Sequence, residues 1–97
     1  MQIEKRQEGG RVTFALSGRL DTNTSPEFES ELKLDGVTEV VFDFSNLEYI
    51  SSAGLRVLMT VQKAMMACGG AMCVASPNAM VKDVFEMTGM SGIFTIV

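Results

Sequence analysis

Two adjacent serines, Ser51 and Ser52, follow an apolar stretch and open a helical pattern that runs on through Leu55 and Leu58. A hydroxyl in that position meets the free backbone N–H groups and the positive dipole end of a helix. Either serine can cap the helix by accepting one of those N–H groups. The same surroundings suit a phosphoryl group carried on the hydroxyl. A second polar loop, Asp21-Thr22-Asn23-Thr24, also runs into a helix start. Asp21 and Asn23 suit a turn in which side chains take up local N–H groups, and Thr24 suits an N-cap.

Other chemistries lack parts. Histidine is absent, which removes Ser-His-Asp and Cys-His catalysis, His-based zinc sites and the commonest general base. The spacing of Cys68 and Cys73 fits neither a redox C-x-x-C nor a zinc pair, and both read as small packed hydrophobes. Gly9-Gly10 and Gly69-Gly70 lack the lysine and spacing of a phosphate loop. Glu27 and Glu31 read as solvated charges on an exposed helix face rather than an acid–base pair. Met59, Met65 and Met66 on one expected helix, and Met80, Met87 and Met90 on or near another, read as core filler. No cofactor and no metal is expected, and a small enzyme built on Asp21, Ser51 and Ser52 is the weakest reading.

The formal charge of −4 argues against nucleic acid and against anionic membranes as partners. No segment is long and apolar enough to span a bilayer. Met1 to Glu8 is polar, unlike a signal peptide. A cytoplasmic location is the expectation. At 97 residues, 46% of them hydrophobic, the chain fits one domain over residues 1–97 with a core that needs no disulfide or metal.

The pattern along the chain positions the two polar loops. Gln2 to Gln7 is a weak strand. Arg11 to Ser17 alternates Val12, Phe14 and Leu16 with Thr13, Ala15 and Ser17, the period of a strand, and Gly9-Gly10 makes the pair a hairpin. Thr24 and Glu27 have capping-box spacing, with Pro26 in the first turn, for a helix from Ser25 to Leu34. Glu39 to Phe44 reads as a buried strand and Ser45 to Ile50 as a loop. A long helix from Ser52 to Cys68 follows, then a strand from Ala71 to Ala75, a helix from Ala79 to Thr88 opened by Ser76-Pro77, and a last strand or tail from Ile93 to Val97. Strands alternating with helices imply parallel neighbours joined right-handedly. The expected fold is an α/β domain with a mixed four- to five-stranded sheet and helices packed mainly on one face. In such sheets recognition gathers beyond the carboxyl ends of the strands, where Asp21, Asn23, Thr24, Ser51 and Ser52 would form one patch.

The segment Asp43-Phe44-Ser45-Asn46-Leu47-Glu48-Tyr49-Ile50-Ser51-Ser52-Ala53-Gly54-Leu55 resembles the signature of STAS domains, roughly D-L-S-x-[VL]-x-[FY]-[IM]-D-S-[ST]-G-L. These are the bacterial anti-sigma factor antagonists and related domains of sulfate transporters. Gly18-Arg19-Leu20-Asp21 with Thr24, Gly69-Gly70 before the strand, and Phe85-Glu86-Met87-Thr88-Gly89-Met90 are similar to further family segments, so the resemblance spans nearly the whole chain. It implies a STAS domain that is not itself an enzyme. It implies partner switching: the antagonist binds an anti-sigma factor that is also a serine kinase, freeing the sigma factor; phosphorylation releases it; a PP2C-type phosphatase restores it. The alternative within the resemblance is a STAS subunit of a transporter or sensory complex, working as an interaction module without phosphorylation. The phosphoacceptor position matches Ser52. Two family positions differ, with Ser51 in place of the aspartate and Ala53 in place of the second Ser/Thr, so Ser51 is a rival acceptor. Arg56 stands where the family often has glycine, a cation able to pair with a phosphate or a partner's carboxylate. The expected partner-binding patch is Asp21, Asn23, Thr24, Ser51, Ser52, Ala53, Gly54 and Arg56.

Overall fold

A computed structural model describes residues 1–97. The strands are β1 (Gln2–Glu8), β2 (Arg11–Leu20), β3 (Glu39–Ile50), β4 (Ala71–Ala75) and β5 (Thr95–Ile96), and the helices are α1 (Ser25–Ser30), α2 (Ser52–Ala67) and α3 (Ala79–Thr88). The strands lie side by side in the order β1-β2-β3-β4-β5. β1 pairs antiparallel with β2, and the remaining neighbours are parallel. Each helix therefore crosses between adjacent parallel strands in one direction across the sheet. Right-handed crossovers of that kind place all three on the same face.

The burial pattern agrees. Val12, Phe14 and Leu16 of β2, Val40, Phe42 and Phe44 of β3, and Met72 and Val74 of β4 are buried under the helices. The alternate residues Thr13, Ala15, Asp43 and Cys73 are only half-buried on the uncovered face. Burial pushes the Cys73 thiol up, with nearby Glu39 adding to the shift and Arg11 opposing it.

The six residues of α1 are too few to be helical by themselves. Phe28 anchors it, with its ring edge-on to Phe42 at 5.5 Å and to Phe14 at 6.3 Å. These contacts fix the helix that follows the Asp21 loop.

Several sequence expectations change here. β3 runs to Ile50 rather than stopping at Phe44, because β2 also runs on to Leu20 and supplies its backbone partner. A register shift between Ala15 and Ser17 absorbs one extra residue at Phe44-Ser45, Asn46 pairs with Ser17, and a second shift between Gly18 and Arg19 leaves Glu48 without a partner. α1 ends at Ser30, not Leu34. Cys68 is exposed at the end of α2, where its thiol donates to the Met65 carbonyl at 3.4 Å. Met66, Met80 and Met87 point to solvent, whereas Met65 and Met72 are core.

Candidate functional site

β2 and β3 end together. Leu20 pairs with Ile50, and the Ser51 N–H donates to the Leu20 carbonyl at 2.9 Å. The loops after these strands are thereby brought to one edge of the domain, at the carboxyl ends of two parallel neighbours.

The Asp21 loop is closed by its own side chains. Asp21 Oδ1 accepts from the N–H of Asn23 at 3.0 Å and of Thr24 at 3.1 Å. These bonds favour the charged form, so the Thr24 N–H first, with the Asn23 N–H, the Thr24 hydroxyl and Arg19 behind it, holds the Asp21 carboxyl below its ordinary value against a smaller opposing effect of burial. The Thr24 hydroxyl accepts from the Asp21 N–H at 2.9 Å and donates back to the Arg19 carbonyl at 2.8 Å. Thr24 is thus the N-cap of α1 by position but makes no side-chain capping bond, and the expected capping box with Glu27 does not form. Its hydroxyl is used to shut the turn instead. Ser25, buried beneath, donates to the Asp21 carbonyl at 2.6 Å.

The Ser51 loop is held by backbone. Ser51 is the N-cap of α2, in extended conformation, and its hydroxyl accepts from the Gly54 N–H at 3.5 Å, a long and weak bond. Ser52 is the first residue of α2 and is exposed. No side-chain hydrogen bond engages it. Gly54 is buried rather than displayed. A Cβ there would stand 2.8 Å from Leu20 Cγ and 2.9 Å from Ile50 Cγ1, so only glycine lets α2 press onto the last residues of both strands. Ala53 and Arg56 line a groove of ≈ 170 Å³ between α1 and α2, opposite Thr22, Ser25, Pro26 and Glu29.

Three groups at this edge were not singled out in the sequence. Arg19 lies over the Tyr49 ring, 4.4 Å from its centroid, and approaches Asp21 at 3.8 Å. Arg19 and Tyr49 pair directly across β2 and β3, a relation visible only once β3 is extended. Asn78 accepts from the Val81 N–H at 2.8 Å as the cap of α3 and donates to the Leu47 carbonyl at 3.0 Å. It bolts α3 to the strand that delivers Ser51, and no local pattern links positions so far apart.

The STAS domain family matches residues 2–97. The chain belongs to this family. The STAS chain is 31% identical to BtrV of Bordetella bronchiseptica, assigned as an anti-sigma factor antagonist, over 99% of this chain and 85% of that protein. It is 29% identical to the anti-sigma F factor antagonist of Paenibacillus polymyxa, over 99% of this chain and 86% of that protein. Its fold matches the anti-sigma factor antagonist SpoIIAA in its unphosphorylated form with a TM-score of 0.86 at 18% identity, covering 99% of this chain and 88% of that one. The match to the phosphorylated form of Bacillus SpoIIAA has a TM-score of 0.78 at 17% identity, covering 99% and 91%. The names of these relatives carry antagonism of an anti-sigma factor, a binding activity rather than catalysis. No helix of the STAS chain is long and apolar enough to cross a membrane.

Proposed function

We propose that the chain is a cytoplasmic anti-sigma factor antagonist that works by partner switching, with Ser52 as its phosphoacceptor. The observation that carries this reading is the exposed, unengaged hydroxyl of Ser52 at the first residue of α2, in a chain of the STAS family. Ser51, the rival acceptor, is half-buried, and its hydroxyl oxygen faces the Gly54 N–H at 3.5 Å as the helix cap. The unphosphorylated chain binds an anti-sigma factor that is also a serine kinase, through the edge formed by Asp21, Asn23, Thr24, Ser51, Ser52, Ala53 and Arg56, with the expected Gly54 buried beneath it as support rather than contact surface. In the switching step the Ser52 oxygen forms a bond to the γ-phosphorus of ATP. The bond from that phosphorus to the bridging oxygen breaks, ADP leaves, and the hydroxyl proton passes to a base of the kinase. A PP2C-type phosphatase reverses the modification by hydrolysis.

The phosphate adds about −1.5 to −2 charges at a helix N-terminus, where N–H donors and the dipole favour it. It therefore leaves the domain folded and acts on the interface. The antagonist names of the relatives at 31% and 29% identity favour this reading over a transporter subunit. Ser52→Asp is expected to keep the circular-dichroism spectrum and lose binding to the anti-sigma factor, while Ser52→Ala binds constitutively and takes up no phosphate. Mass spectrometry after incubation with the kinase and ATP locates the label, and label on any other residue overturns the assignment.

A further inference from the structure

Arg56 follows Ser52 by four residues on α2. Side chains so spaced are neighbours on a helix, with Cβ atoms about 5–6 Å apart. Arg56 is exposed, and the protein's two ion pairs, Arg11 with Glu39 and Arg19 with Asp21, leave it without a carboxylate. The first turn of α2 contains no acidic residue. Glu29 lines the same groove from α1 but stays outside ion-pairing distance. The acidic chain thus shows an unneutralised guanidinium beside its exposed hydroxyl.

We infer that Arg56 is the group through which phosphorylation of Ser52 acts: it docks a carboxylate of the anti-sigma factor when Ser52 is free, and a phosphate on Ser52 captures it within the chain. The inference rests on the partner-switching reading above. A guanidinium binds carboxylate and phosphate alike through paired charge-assisted hydrogen bonds. The phosphate carries more charge than a carboxylate and is tethered one turn away, so it competes at a high effective concentration. It also stands N-terminal to the cation, the favourable order for such a pair on a helix. The partner then loses its anchor at the same moment that its acidic surface meets a new anion. Repulsion alone leaves Arg56 equally useful in both states of the switch, whereas capture makes it useful in only one.

The test measures affinity for the purified cognate anti-sigma factor with four proteins: the native chain and Arg56→Gln, each with serine or phosphoserine installed at position 52 during translation. Arg56→Gln is expected to weaken the unphosphorylated form about tenfold, the equivalent of about 1.4 kcal/mol, and to leave the phosphorylated form unchanged. Equal weakening of both forms, or none in the unphosphorylated form, overturns the role of Arg56 and leaves the switch standing. A phosphoserine that does not weaken the native chain overturns the switch and the inference together. A second measurement needs no partner. The Arg56 Nε–H resonance is expected to shift and to exchange more slowly with water when phosphoserine replaces Ser52, and an unmoved resonance overturns capture.

Discussion

The two loops at the carboxyl edge are built from similar residues and are used in opposite ways. In the Asp21 loop the side chains are consumed by the loop itself: the carboxylate takes two backbone N–H groups and the Thr24 hydroxyl spans the turn. In the Ser51 loop the backbone is fixed to Leu20 while the side chains stay almost free, with one bond of 3.5 Å at Ser51 and none at Ser52. A polar residue that satisfies its neighbours is scaffold. One that is held in place by its backbone, with its hydroxyl still unspent, is available to another protein.

Changes at four positions probe that contrast, from the largest expected effect to the smallest. Gly54→Ala strikes both loops at once, since the added methyl group meets Leu20 and Ile50. Overpacking of this kind costs about 1–3 kcal/mol, so thermal unfolding should move down clearly. An unchanged melting temperature would show that the two strand ends yield independently. Asp21→Ala comes next, because it strands two N–H groups that the carboxylate now holds. Its loss of thermal stability should exceed that of Ser51→Ala, and the reverse order would break the contrast between the loops. The effect carries a pH signature. The Asp21 carboxyl is held below its ordinary value of 3.8, so its contribution is complete above that pH and is lost as pH falls through the lowered value in the folded state. The difference in melting temperature between the native chain and Asp21→Asn should therefore close in strong acid, and a difference that persists there would refute this role for the charge.

Ser51→Ala removes a helix cap, a change worth about 0.5–2 kcal/mol in general. The long bond to Gly54 places it near the lower end, measurable by urea denaturation. Ser52→Ala should fall within about 0.5 kcal/mol of the native chain, because nothing in the fold depends on its hydroxyl. A larger loss in the same titration would mean that Ser52 serves the scaffold after all.

Much of this arrangement was legible from residue patterns. The alternation of Val12, Phe14 and Leu16 marked the buried face of β2, and Gly89, with φ of 79°, ends α3 where the sequence placed its stop. The STAS-like segment points to Ser52, which the fold leaves exposed at the first residue of α2. Side-chain direction was less accessible. Thr24 has capping-box spacing, yet its hydroxyl turns back to Arg19, because the Asp21 turn competes for the same group. Ser45 and Asn46 look like loop residues, but β2 offers a partner strand that no local window contains. The groove between α1 and α2, with Glu29 facing Arg56, exists only because Phe28 pins a six-residue helix onto Phe14 and Phe42.

The order of strands in the sheet, identical to their order in the chain, also bears on how the domain is made. On a ribosome, each new strand emerges to find its hydrogen-bonding neighbour already synthesised, and none has to wait for, or wedge between, strands from distant parts of the chain. The β1–β2 hairpin closes at little entropic cost, whereas each parallel pairing must first close a helical crossover and so forms more slowly. The sheet can grow by accretion from the β1–β2 hairpin, with the Ser51 edge completed as soon as α2 docks, well before β5 arrives to finish the far side.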